Sequence, residues 1–427
     1  MLSDELSSAG DRVLDARGRP VPSQRLSSGE LAFIAGDVPP FAARRFTVSS
    51  GVAHTEGEVT AQGSTLDNGL LRLRVDERTG AIGELRAKGF KENLADTASG
   101  HALNDYLFLP GDNLADLKRN GPVRISVKER GPLVASLLIE SDAPGCHKLT
   151  REVRLVAGFD HVELVNTVDK QRAQANPKPG DWTFAQKGGK ESVNFAFPFN
   201  VPDGVMRLDL PFGVMEPERD QMPSACKNWF TVGRWADVSN DDFGITWVTL
   251  DAPLVQVGGI TATLVGSQSN PAIWRKRVER TQKLYSWAMN NHWGTNYRAY
   301  QEGPVVFRFA LRPHRKFSPA DATKLATAMS QPLIATRARG ESLTKPLLRV
   351  EPSTVVVTGL KPSDDGKAWI VRLFGASGKN QQAKLAWTSP VPEQIWRSDT
   401  SEKPLRRTAG RIEVPAYGVT SLRVERP

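Results

Sequence analysis

The sequence predicts a mainly β protein built of antiparallel sheets packed as sandwiches. Three observations carry this expectation. Apolar residues recur with period two over many short segments, turn-forming residues separate those segments, and helical periodicity is confined to one stretch. Leu71, Leu73 and Val75 alternate with Arg72 and Arg74, and residues 76–80 then turn the chain into Ile82 and Leu85. A second hairpin places Val153 and Leu155 before a turn at 158–160, with Val162, Leu164 and Val168 after it. A short strand pair around Gly29 joins Leu26 to residues 31–34. Further strands are expected at 132–140, 191–199, 229–235, 243–250, 260–266, 304–312, 353–360, 368–374 and 411–424. One helix is expected after Ser318, an N-cap residue followed by Pro319 and Asp321. Its apolar stripe is Ala322, Leu325, Ala326 and Met329, and Pro332 ends it.

A chain of 427 residues is too long for one ordinary domain. Three segments are expected: 1–49, the end of a small β domain with its connector; 50–335, holding most strands; and 346–427, a smaller β-sandwich. Hydrophobic residues make up 39% and charged residues 24%, enough to build a globular core. No apolar run approaches the roughly 20 residues that span a bilayer, so no membrane partner is expected. The first ten residues show neither a basic nor an apolar leader region, so no secretory signal is visible and the compartment stays open. The net charge of +9 is interspersed with acids, and even Arg275–Arg277 sits beside Glu279, so no nucleic-acid partner is expected. Cys146 and Cys226 are too few for a disulfide framework or a thiolate metal site and are expected to be buried free thiols.

The richest stretch for chemistry is 286–303, which carries Trp287, Asn290, Asn291, His292, Trp293, Asn296, Tyr297, Arg298, Tyr300, Gln301 and Glu302. Aromatic faces beside planar amides and charges suit sugar hydroxyls; they equally suit a loop that satisfies its own backbone. Elsewhere the chemistry is thin. None of the six histidines is paired with another at zinc-ligand spacing, and His54 with Glu56 or His161 with Glu163 lacks a third ligand. Candidate carboxylate groups at Glu216/Asp220, Asp237/Asp241/Asp242 and Asp364/Asp365 read as turns, and nothing in the sequence nominates a pair that would face each other across a sugar. No nucleophile elbow or phosphate loop is present. No catalytic residue and no metal ligand is expected in this chain.

Several stretches, taken together, resemble the C-terminal β region of glycoside hydrolase family 38 α-mannosidases. They are residues 21–25 with 37–41, 66–70 with 79–80, 228–239, 249–253, 289–297 and 301–303, with a weaker match at 356–372 and 416–422. The resemblance implies a galactose-mutarotase-like β-supersandwich followed by a small β-sandwich. It also implies an α-mannoside or related glycan as substrate of the assembled enzyme. In that family the zinc ligands and the catalytic carboxylates lie on an N-terminal α/β domain that the resemblance does not reach. No cofactor is therefore expected here, zinc is expected on that catalytic domain, and the domain itself is expected as a partner in cis or on a separate chain. Within the matching motifs, Arg234, Asp237, His292, Tyr297, Arg298 and Gln301 are expected at a sugar-site wall or domain interface, with Trp293 as a stacking platform. Two other roles remain open: a stand-alone carbohydrate-binding protein, or a lyase or epimerase on the same scaffold.

Overall fold

The computed structural model describes residues 1–173, 190–263, 272, 274–292, 300–340 and 344–426. The chain divides into two compact units, residues 55–210 with 215–317 and residues 1–54 with 211–214 and 318–427.

The larger unit is a supersandwich. Its nine-stranded sheet runs, in spatial order, Val123–Arg130, Val134–Ser141, Cys146–Val156, Val162–Lys170, Gly303–His314, Gly244–Thr249, Trp235–Ser239, Val205–Leu210 and Gly213–Met215. The six-stranded sheet runs Lys118–Arg119, Asp105–Pro110, Glu191–Pro198, Lys283–Asn290, Leu254–Val257 and Phe230–Thr231. A four-stranded sheet of Thr60–Gln62, Thr65–Asp67, Leu71–Val75 and Ile82–Ala87 adds its apolar face to the same core. Period-two patterning puts Tyr106, Phe195, Phe197 and Leu284 of one sheet against Phe307, Phe309 and Trp247 of the other, with ring centroids 5.3–6.0 Å apart in several pairs. Each such ring brings a large apolar area to the interior, in edge-to-face, tilted and stacked pairs.

Inside this apolar core sits one arginine. Arg151 is completely buried, and its guanidinium donates to the carbonyls of Thr79 at 2.6 Å and Asn104 at 3.2 Å. Burial pushes its pKa down to about 10 against the opposing charge of Asp105, so it stays a cation at neutral pH. Gly80 makes room for it. A Cβ there would lie 2.3 Å from Arg151 Nη2, and the residue takes φ +71°, which only glycine adopts freely.

Two expected strands come out differently, each for a local reason. The segment 229–235 is not one strand. Phe230–Thr231 pairs with Leu254–Val257 in the six-stranded sheet, whereas Trp235–Ser239 joins the nine-stranded sheet. The chain crosses between layers at Gly233, whose N–H is taken by the Asp209 carbonyl at 2.7 Å. Residues 260–263 form no strand either, because Gln256 Oε1 accepts from the N–H groups of Thr261 (2.8 Å) and Ala262 (2.7 Å). A side chain has replaced the neighbouring strand; residues 264–266 lie outside the described residues. Asp237 is also no turn residue: it lies inside a strand. Cys146 is buried but Cys226 only half-buried, and both are free.

The smaller unit holds a five-stranded sheet, in the order Val355–Pro362, Ala368–Gly375, Val419–Glu425, Ile395–Ser398 and Pro404–Thr408. Against it packs a three-stranded sheet of Leu348–Glu351, Gln381–Trp387 and Ile412–Val414, around a core of Leu348, Val371, Leu373, Ala383, Val414 and Leu422. The expected strand 411–424 is thus two strands in two sheets, separated by the turn at 415–418. Short N-terminal strands belong to this unit as well. The helix Pro319–Ser330 begins as expected: Ser318 Oγ accepts from the Asp321 N–H at 3.2 Å, and Ala322, Leu325 and Ala326 are buried.

Residues 331–340 are exposed throughout and belong to no helix or strand. Their one ion pair among the described residues, Arg337 to Glu5 at 3.2 Å, joins two exposed side chains and contributes little. Trypsin is therefore expected to cut first after Arg337 or Arg339. Mass spectrometry of a limited digest checks this, and first cleavage within a strand of either sandwich would contradict it.

Candidate functional site

Antiparallel register builds a polar surface on the face of the six-stranded sheet turned away from the core. One row across the strands is Asp105, Ala196, Tyr285 and Gln256; the next is Leu107, Asn194 and Trp287. Leu107, Leu109, Ala196, Tyr285 and Ile260 form a small apolar cluster on this face. Polar groups lie on both sides of it.

On one side, Asp105 sits at the start of its strand, almost fully buried. Its Oδ2 accepts from Arg119 and lies 3.4 Å from His101 Nδ1, which also meets Arg119 Nη2 at 2.8 Å. The His101 ring stands edge-on to Tyr285 at 6.0 Å. Burial, reinforced by the Asp105 charge, pushes the Tyr285 phenol up to about 12. Asp105 Oδ1 and Arg151 Nε are both without a hydrogen-bond partner among the described residues. The two groups attract each other through space, so this side reads as compensation of a buried cation.

The other side is different in kind. Strand Lys283–Asn290 places Trp287 beside Asn194, and Asn194 is held by Gln256 Nε2 (2.7 Å) and Ser192 Oγ (3.1 Å). The Trp287 ring packs on Trp229 at 5.8 Å and on His292 at 5.5 Å. Asn291 fixes the backbone where the strand ends, its Oδ1 accepting from the Glu191 N–H at 2.7 Å. His292 is 3% exposed, and neither of its ring nitrogens has a hydrogen-bond partner among the described residues; the same holds for Trp287 Nε1. Burial first, and the nearby Lys190 charge second, push the imidazole down to about 4. Burial likewise lowers the Lys190 ammonium. At neutral pH the site therefore presents an imidazole with one donor and one acceptor, an indole donor and an ammonium. A hydroxyl group, itself both donor and acceptor, is the simplest partner for that set.

The expected site residues fall in three places. His292 lies in this cluster. Gln301 is exposed, ahead of strand Gly303–His314. Trp293, Tyr297 and Arg298 lie outside the described residues. Arg234 and Asp237 lie elsewhere, at the crossing segment and in the nine-stranded sheet. The Arg234 N–H donates to Asp209 Oδ2 at 2.8 Å, and desolvation lifts that carboxyl to about 6 despite the bond. Asp237 is saturated: Ser239 Oγ (2.6 Å), Thr246 Oγ1 (2.7 Å) and His314 Nε2 (2.7 Å) all meet its carboxylate. Such a network is a structural node with no lone pair pointed at solvent. Trp229 and Lys190 escaped the sequence reading because they are 63 and more than 100 residues from His292, and only the pairing of strands unites them.

Among the described residues no group of three His, Cys, Asp or Glu side chains is arranged to hold a metal. Zinc has no ligand set among them.

Residues 66–252 match the family described as "Glycosyl hydrolases family 38 C-terminal domain". Residues 354–423 match "Glycosyl hydrolases family 38 C-terminal beta sandwich domain". The cluster at 286–303 lies between the two matches. No curated protein matches the chain. Among solved structures, an α-mannosidase from Enterococcus faecalis V583 aligns with 99% of this chain and 52% of its own, at 14% identity and a TM-score of 0.67. A family 38 protein from Enterococcus faecalis aligns with 99% of this chain and 54% of its own, at 13% identity and a TM-score of 0.70. A putative aldose 1-epimerase from Escherichia coli K12 aligns with 61% of this chain and 99% of its own at 13% identity, but its TM-score of 0.34 supports no argument. The chain thus spans about half the length of the two Enterococcus structures. At these identities the likeness establishes the fold alone, a large β-supersandwich with a smaller β-sandwich. The chain contains the two C-terminal β domains of glycosyl hydrolase family 38.

Proposed function

We propose that this chain is the non-catalytic β portion of an α-mannosidase-type glycosidase, and that it supports a sugar site whose catalytic groups lie on an α/β domain outside this sequence. The observation that carries the reading is the order of the two family matches along a chain that aligns with half of a solved α-mannosidase. In the assembled enzyme, zinc would be held by that α/β domain. The part of this chain would be to hold Arg234, His292 and Gln301, together with Trp293, Tyr297 and Arg298, at the wall of the sugar site or at the domain interface, with Asp237 tying strands of the nine-stranded sheet together.

The test is reconstitution. The chain alone is expected to leave an aryl α-mannoside intact. Joined to or co-expressed with a family 38 α/β catalytic domain encoded beside it, it is expected to support hydrolysis that a chelator abolishes. Hydrolysis by the isolated chain that survives chelation would overturn the reading.

The ring nitrogens of His292 and Trp287, without hydrogen-bond partners among the described residues, favour a second reading, a carbohydrate-binding protein acting by itself. Titration of the isolated chain with methyl α-mannoside, followed by tryptophan fluorescence, separates the two: saturable quenching supports it and a flat response removes it.

A further inference from the structure

The last hairpin of the smaller unit carries a charge pattern that the glycosidase reading does not use. Strand Pro404–Thr408 pairs with Ile395–Ser398 and forms the open edge of the five-stranded sheet. Residues 403–411 read Lys-Pro-Leu-Arg-Arg-Thr-Ala-Gly-Arg, four cations and no acid. Lys403, Arg406, Arg407 and Arg411 are all exposed, and none has an ion-pair partner among the described residues. Their neighbours are neutralised. Lys361 meets Glu402 at 2.5 Å, Arg423 meets Asp365 at 2.6 Å, and Arg397 lies 3.8 Å from Glu413. The one other acid at the turn, Asp399, caps the backbone N–H groups of Ser401 and Lys403.

Charges on an edge strand oppose sheet-to-sheet association. Here four cations fall within nine residues with no acid among them. With a rise of about 3.3 Å per residue, residues 403–408 extend roughly 17 Å. That exceeds the screening distance of about 8 Å at physiological salt. The cations therefore act as successive contacts along an extended partner, not as a pocket for one small anion. Directly across the ladder from Arg407 stands Trp396, half-buried, its indole N–H without a partner among the described residues. An indole offers an apolar face for a sugar ring and a donor for its oxygens.

We propose that the edge hairpin 395–411 binds an acidic polysaccharide, a linear glycan bearing carboxylate or sulfate groups, laid along strand Pro404–Thr408. The choice of a saccharide over other polyanions rests on the carbohydrate-processing reading above; the cations and the edge geometry do not. The surface would tether the protein to an anionic glycan matrix apart from the site at His292.

The full chain is titrated with heparin and with polygalacturonate, alongside neutral mannan and a single-stranded oligonucleotide. The expected result is binding to at least one acidic glycan, weakening as salt rises, with mannan silent. Arg406→Glu with Arg407→Glu is expected to lower that affinity about tenfold or more. Lys403→Glu with Arg411→Glu, at the ends of the hairpin, is the second variant should the first disturb the strand, as circular dichroism would reveal. No binding to either acidic glycan, binding that both charge reversals leave unchanged, or equally tight binding of the oligonucleotide would each overturn the proposal. None of these outcomes touches mannoside hydrolysis by the reconstituted enzyme, so the two readings fail separately.

Discussion

Replacing Arg151 by leucine is expected to destabilise the supersandwich by about 3–5 kcal/mol. The side chain is wholly enclosed, yet it answers the carbonyls of Thr79 and Asn104 and offsets the charge of Asp105. Leucine would take the charged donor from the Asn104 carbonyl and leave the Thr79 carbonyl with Asn120 Nδ2 alone, at 3.2 Å; each lost bond costs on the order of 1–3 kcal/mol, and Asp105 would lose a compensating cation. Lysine should recover part of the loss, since it restores charge without the planar fork that reaches two carbonyls at once. Urea denaturation at pH 7 measures the effect. A midpoint shift equivalent to less than about 1 kcal/mol would show that the packing, not the cation, holds the turn at 76–80 to the sheet.

The second expectation concerns His292 and acid. Its imidazole falls from the ordinary 6.5 to about 4 in the folded chain, chiefly through burial. Above pH 6.5 neither state binds a proton at this position, so its full contribution is present. Between 6.5 and about 4 the unfolded chain takes up a proton that the native imidazole refuses, and stability falls as pH falls. Below about 4 both states are protonated and the loss levels off. The span amounts to roughly 3 kcal/mol. Lys190 is the charged group that reinforces the shift, and Trp287 is the ring against which the imidazole packs. Carboxylates titrate in the lower part of the same window, so the measurement is a difference between wild type and His292→Gln across pH 7 to 4. The wild-type curve should fall more steeply. Parallel curves would mean that the ring is hydrated in solution and titrates normally. A saccharide that hydrogen-bonds the neutral imidazole should steepen the wild-type curve further, because it binds only the unprotonated native form.

Much of the fold was legible in the order of residues. Alternation at 71–75, 153–155 and 162–168 reported strands with one face in a core, and Ser318 with Pro319 and Asp321 marked the single long helix. These are local signals, set by side-chain period and capping within a few residues. What misled was equally local in origin. The run 229–235 has strand composition throughout, but a glycine lets the chain change sheets in its middle, and one glutamine side chain removes the strand expected near 260. Neither substitution of a backbone partner is visible until the partner is placed.

The site divides the same way. The sequence determined that 286–303 would concentrate aromatic and amide groups and that no catalytic constellation stands in a row. Only the tertiary structure decided which of those groups are already satisfied. Asp237, a plausible sugar contact from its motif, is enclosed by Ser239, Thr246 and His314. His292 has no hydrogen-bond partner for its ring nitrogens among the described residues, and strand pairing brings Trp287, Trp229 and Lys190 around it from distant parts of the chain. Hydrogen-bond capacity belongs to a residue and can be read from its name. Whether that capacity is spent depends on neighbours that only the packed sheets supply.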